Sequence, residues 1–111
     1  MNSADLAETT ALIAKPFDLR LSDMPDSETL LLSVLSERIA VMLEQEPEFL
    51  MSLLYRLDVL EKKIIPVLAA NAPEPAHIGL ARLVIERQKQ RLETKRTIRV
   101  APLEDAEDWN G

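Results

Sequence analysis

The chain contains no cysteine, which excludes a disulfide scaffold and any thiolate chemistry. A domain without bridges is the norm in a reducing compartment, so the cytoplasm is the expected location. Glycine occurs only twice and aromatics make up 4% of the residues, whereas leucine is abundant, a balance that favours helix over sheet. Long apolar runs are missing as well. The longest near-apolar stretch, Ile64 to Ala70, contains Pro66 and falls far short of the ~20 residues needed to span a bilayer, so no membrane partner is expected. Met1 to Ala14 carries no basic residue ahead of its modest apolar stretch and is not expected to act as a secretory signal.

With 111 residues the chain is long enough for one core and too short for two. Its net charge of −6 conceals an asymmetry: residues 1–57 carry ten acids and four bases, residues 82–99 two acids and seven bases, and residues 100–111 four acids and no base.

Residues 1–22 show weak periodicity, and Pro16 breaks any helix begun near Asp5, so this segment is expected to be weakly ordered. The helical domain is expected over residues 23–99. Capping side chains and a proline in Ser22-Asp23-Met24-Pro25-Asp26 precede a run from Leu30 to Leu43 whose apolar residues cover more than half the helix circumference, which predicts a central helix. Pro47 restarts the chain, and Phe49, Leu50, Leu53, Leu54 and Leu57 form another broad apolar face. Asp58 followed three residues later by Glu61 has the spacing of a capping box and predicts a new helix N-terminus. Pro66 should kink or end that helix before the loop Asn71-Ala72-Pro73-Glu74-Pro75. The last helix is predicted from about Pro75 to Thr97. Its first half should be buried and its second half should protrude, because beyond Glu86 only Gln88 and Leu92 continue the apolar line of Ala81 and Ile85. Residues 100–111 are acidic and without periodicity, which predicts a disordered tail. The fold class is therefore all-α, a bundle of four to five helices with a long C-terminal helix.

The stretches Leu54-Tyr55-Arg56-Leu57-Asp58-Val59-Leu60-Glu61-Lys62-Lys63 and Ala81-Arg82-Leu83-Val84-Ile85-Glu86-Arg87-Gln88-Lys89-Gln90-Arg91 resemble two that recur in a family of short uncharacterised bacterial helical proteins. The resemblance implies a bacterial cytoplasmic origin and a helical fold, and brings no activity, cofactor or metal with it.

Candidate chemistry is sparse. The single histidine, His77, has Leu80 and Ala81 at the positions where a second metal ligand would sit, so its ordinary reading is a partly exposed side chain. Glu44 and Glu48 lie four apart, but Pro47 separates their helices and leaves a solvated acidic turn. No catalytic or cofactor-binding residue is expected. The polar cluster Tyr55, Arg56, Asp58, Glu61 and the pair Glu86–Arg87 could line a small pocket, against the plainer reading of a cap, an ion pair and a packed ring. Arg38 sits among Val34, Leu35, Val41 and Met42 and must snorkel or find a carboxylate, for which Glu61 and Glu86 are the candidates.

Arg82, Arg87, Lys89, Arg91, Lys95, Arg96 and Arg99 form a basic run that could bind nucleic acid. On a helical wheel Arg87, Arg91 and Lys95 flank one side of the Ala81–Ile85–Gln88–Leu92 seam, and Arg82, Lys89 and Arg96 the other, which is how coiled-coil flanks are charged. Such flanks usually contact acidic partners, and the chain supplies these in its N-terminal half and tail. Overall acidity and the lack of interleaved aromatics count against nucleic acid. The apolar arcs exceed what so short a chain easily buries, so the expected function is a self-associating interaction module, a homodimer with Leu92 in its contact. A nucleic-acid-associated regulator is the alternative, and an enzyme is third.

Overall fold

The computed structural model describes the backbone of residues 3–20 and 25–100 and the side chains of 4–20 and 25–95. Among these it has five helices and no strand: α1 (Ser3–Phe17), α2 (Glu28–Gln45), α3 (Pro47–Arg56), α4 (Glu61–Leu68) and α5 (Ala76–Val100). The all-α bundle with a long last helix is thus the observed fold. The acidic tail lies outside the described residues, apart from Val100 at the end of α5.

The periodicity of α2 places Leu31, Leu35, Ile39 and Met42 one to two turns apart, and all four are buried. α2 packs most extensively on α5 and also against α1 and α3, which makes it the central helix. Its N-cap is Ser27, whose Oγ accepts from the Leu30 N–H at 3.1 Å. α3 opens on Pro47 at its first turn, where the missing N–H costs nothing. α4 continues only two residues past Pro66. It lies on α5 at Gly79, where a Cβ would sit 2.6 Å from Val67 Cγ1, so the absent side chain sets how closely the two helices approach.

Three expectations are corrected. The described part of residues 1–22 is not a weakly ordered appendage: Ser3–Phe17 is a helix, and Leu6, the adjacent pair Thr9 and Thr10, Ile13 and Phe17 fall about one turn apart and form its buried stripe. Pro16 lies in the last turn and the helix ends one residue beyond it. The second correction concerns Leu92, which is buried within the single chain at 8% exposure, as is Gln88 at 1%. Among the described side chains of α5 the longest exposed run is Glu93 to Lys95, and the seam Ala81, Ile85, Gln88 and Leu92 offered for self-association is already covered.

The third correction is Asp58. It is not an N-cap: Leu60 holds that position for α4, with no side-chain bond. Asp58 instead stops α3 in the left-handed region, at φ 63°. Its N–H donates to the Tyr55 carbonyl at 3.0 Å, and that of Val59 donates to the Leu54 carbonyl at 3.0 Å, the paired bonds of a Schellman stop. α1 ends the same way, with Asp18 at φ 53° and Leu19 N–H on the Ala14 carbonyl at 2.9 Å. The spacing Asp58-x-x-Glu61 matched a helix start because aspartate serves both ends.

A left-handed residue with a Cβ costs about 1–2 kcal/mol, less for aspartate, and its negative charge opposes the dipole at a helix C-terminus. Asp58→Gly is therefore expected to raise stability by about 1 kcal/mol, Asp58→Asn to be neutral or slightly favourable, and Asp58→Ala to give no gain. Urea titration of the three variants distinguishes a C-terminal stop from an N-cap, which glycine would not improve.

Candidate functional site

α5 carries the charged residues that the sequence singles out, and its two flanks differ in what they meet. On one flank the Arg82 guanidinium donates from Nε and Nη2 to the two carboxylate oxygens of Glu74, both at 3.0 Å. Glu74 lies in the loop just ahead of the helix, so this bidentate pair ties the loop to the second turn. Arg82 thereby holds the Glu74 carboxyl below the usual carboxylate range. Lys89, further along, donates to Glu28 at 3.0 Å and lies 3.6 Å from Glu86. Glu28 starts α2, so its charge also suits the positive end of that helix. The hydrogen bond that Lys89 donates to Glu28 raises the pKa of its ammonium above the ordinary value.

The other flank has no such neutralisation. Arg87, Arg91 and Lys95 have no carboxylate partner among the described residues. Arg87 makes one long contact, Nη1 to Gln90 Oε1 at 3.4 Å, and its Nε is shut off from solvent without an acceptor. These three cations and Thr94 line an open groove of about 330 Å³. The side chain of Arg96 is outside the described residues.

A smaller pocket of about 130 Å³ adjoins Arg87 on its other side, between the α3–α4 turn and α5. Val59, Leu60 and Leu83 give it apolar surface, and Asp58, Lys63, Glu86, Arg87 and Gln90 give it polar groups of both signs. Part of the expected polar cluster is therefore assembled, because the Schellman stop turns Asp58 toward α5. Tyr55, Arg56 and Glu61 are exposed and do not line the pocket. Asp18 shares the left-handed backbone at the end of α1, so the conformation alone assigns no role, and what distinguishes Asp58 is its place on this wall.

Arg38 is corrected as well. Its Nε donates to the Phe17 carbonyl at 2.9 Å, so it satisfies an orphan carbonyl at the end of α1 and pairs with neither Glu61 nor Glu86. Beside the pocket, α4 leaves large apolar side chains uncovered: Leu60 at its start is 52% exposed, and Ile65 and Leu68, three apart on one face, are 60% and 45% exposed.

Val59, Leu60, Lys63, Leu83 and Gln90 in the pocket and Thr94 in the groove were absent from the expected site. Thr94 is visible on the wheel, seven residues after Arg87, whereas the pocket residues needed the turn geometry at Asp58. Among the described residues no group of three or more His, Asp or Glu side chains could hold a metal ion, and no helix is long and apolar enough to cross a membrane. Comparison of the chain with protein families, with curated proteins and with solved structures gives no match.

Proposed function

We propose that this chain is a helical protein-interaction module of the cytoplasm that self-associates as a homodimer. The observation that carries this reading is the uncovered apolar surface of α4, Leu60, Ile65 and Leu68, beside a pocket of about 130 Å³ with an apolar wall and a charged rim. Exposed apolar side chains along one helix, of which Leu60 also lines a pocket with a charged rim, are the composition of an interface centre. A two-fold contact brings the same patch from both copies together, so one uncovered helix face suffices. The contact moves from the buried Leu92 to α4. The reading assigns no catalysis, metal or cofactor to the chain. A nucleic-acid role for the whole basic helix is weakened because Arg82 and Lys89 are held by carboxylates of the chain.

The test is Ile65→Glu. At 60% exposure the new carboxylate reaches water in the monomer, so the fold should be kept, while a charge inside the contact would lack a partner. Sedimentation is expected to show a dimer in the natural chain at tens of micromolar, and at least a tenfold weaker one in the variant with an unchanged unfolding midpoint. A natural chain that sediments as a monomer rejects self-association, and a dimer insensitive to Ile65→Glu rejects α4 as its contact.

A further inference from the structure

We propose that the groove along the free flank of α5 is an oxyanion-binding site, formed by Arg87, Arg91, Thr94 and Lys95. Arg87, Arg91 and Lys95 recur at steps of four, and Thr94 follows Arg91 by three, so they share one stripe, with successive cations about 6 Å apart along the axis at 1.5 Å per residue. Like charges at that spacing repel one another, and on the opposite flank the chain relieves this with Glu74, Glu28 and Glu86. Here it does not. Arg87 adds a second, independent sign: among the described residues its Nε–H is removed from water and finds no acceptor, a state that costs free energy and that no carboxylate of the chain relieves there. Its Nη1 contact with Gln90 at 3.4 Å is long for a charged donor and leaves the guanidinium fork available. Two guanidinium groups, an ammonium and a hydroxyl are donors suited to phosphate or carboxylate oxygens, which arginine can bind in bidentate fashion. The groove, at about 330 Å³, admits a phosphate group with part of what carries it.

Oxygens of this kind have two sources. One is an external phosphorylated ligand. The other is the chain itself, whose residues Glu104, Asp105, Glu107 and Asp108 follow α5 directly in sequence and are therefore present at high effective concentration.

Calorimetric titration with inorganic pyrophosphate at low salt tests the site and separates the sources. It uses the full chain and a full-length variant with Glu104→Gln, Asp105→Asn, Glu107→Gln and Asp108→Asn. Pyrophosphate is expected to bind, and Arg87→Gln with Arg91→Gln to weaken binding at least tenfold, while Arg82→Gln with Lys89→Gln on the paired flank changes it by no more than about twofold. Equal binding by the full chain and its tail-neutral variant assigns the groove to an external phosphate. Binding that gains tenfold or more on neutralisation assigns the chain's own carboxylates as its resident. Absence of binding in both proteins, or equal weakening by changes on either flank, overturns the site, the second because it would reduce the effect to net charge. Self-association through α4 is read by sedimentation, so the two proposals fail separately.

Discussion

Phe17→Ala is expected to destabilise the protein by about 3–5 kcal/mol, the range for truncating a fully buried phenylalanine. The ring is wholly buried, and with Ile13 it brings α1 into the same apolar cluster as Leu35, Ile39 and Val84. Domains of this size hold about 5–15 kcal/mol in total, so the variant should lose about a fifth or more of its stability. On thermal melting the drop should be on the order of 15–30 °C. Backbone anchoring of the same residue survives the change, since Arg38 bonds to its carbonyl and not to its ring, and the measured loss therefore reports packing. A loss below about 0.5 kcal/mol, ordinary for a surface position, would mean that α1 does not belong to the domain.

That α1 belongs to the core was not legible in the sequence, and the reason is specific. Its buried stripe runs Leu6, Thr9, Thr10, Ile13, Phe17, so the two middle positions are polar and break the apolar period where a reader looks for it. Pro16 then read as a break because its distance from the helix end was unknown. α2 was legible for the opposite reason, having an unbroken apolar residue at each turn. The site followed the same division. Both flanks of α5 could be drawn from 3.6-residue periodicity, but which flank is neutralised depends on Glu28, 61 positions from Lys89, and no local rule pairs them. Arg38 was rightly seen to need a partner. A backbone carbonyl at the end of a helix that had not been drawn could not be offered as one.

The polar positions that hid the N-terminal helix also set an expectation for α5. Gln88 is 1% exposed in line with Ala81, Ile85 and Leu92, and its Nε2 has no hydrogen-bond partner among the described residues. Thr9 and Thr10 are equally buried, and neither Oγ1 has a partner there. α1 and α5 pack on each other, and each of them buries polar groups without compensating bonds among the described residues. A buried donor left unsatisfied costs about 1–3 kcal/mol, while methionine fills nearly the same volume and adapts its shape. Gln88→Met is therefore expected to raise stability by about 1–2 kcal/mol, read from the urea midpoint at constant slope.

Gln88→Glu makes the opposite case. It places a carboxyl where burial opposes charge, so its folded-state pKa should lie above the unfolded value of about 4.3. The variant should then be closest to the natural chain in acid and lose stability as pH rises through that raised value, because the unfolded chain releases the proton more readily. If Gln88→Met instead destabilises the protein, the amide is satisfied by a bound water or a partner group. If it stabilises the protein, the buried amide costs free energy, and its remaining use is to fix the register of α5 in the bundle, as single polar residues do in coiled-coil seams.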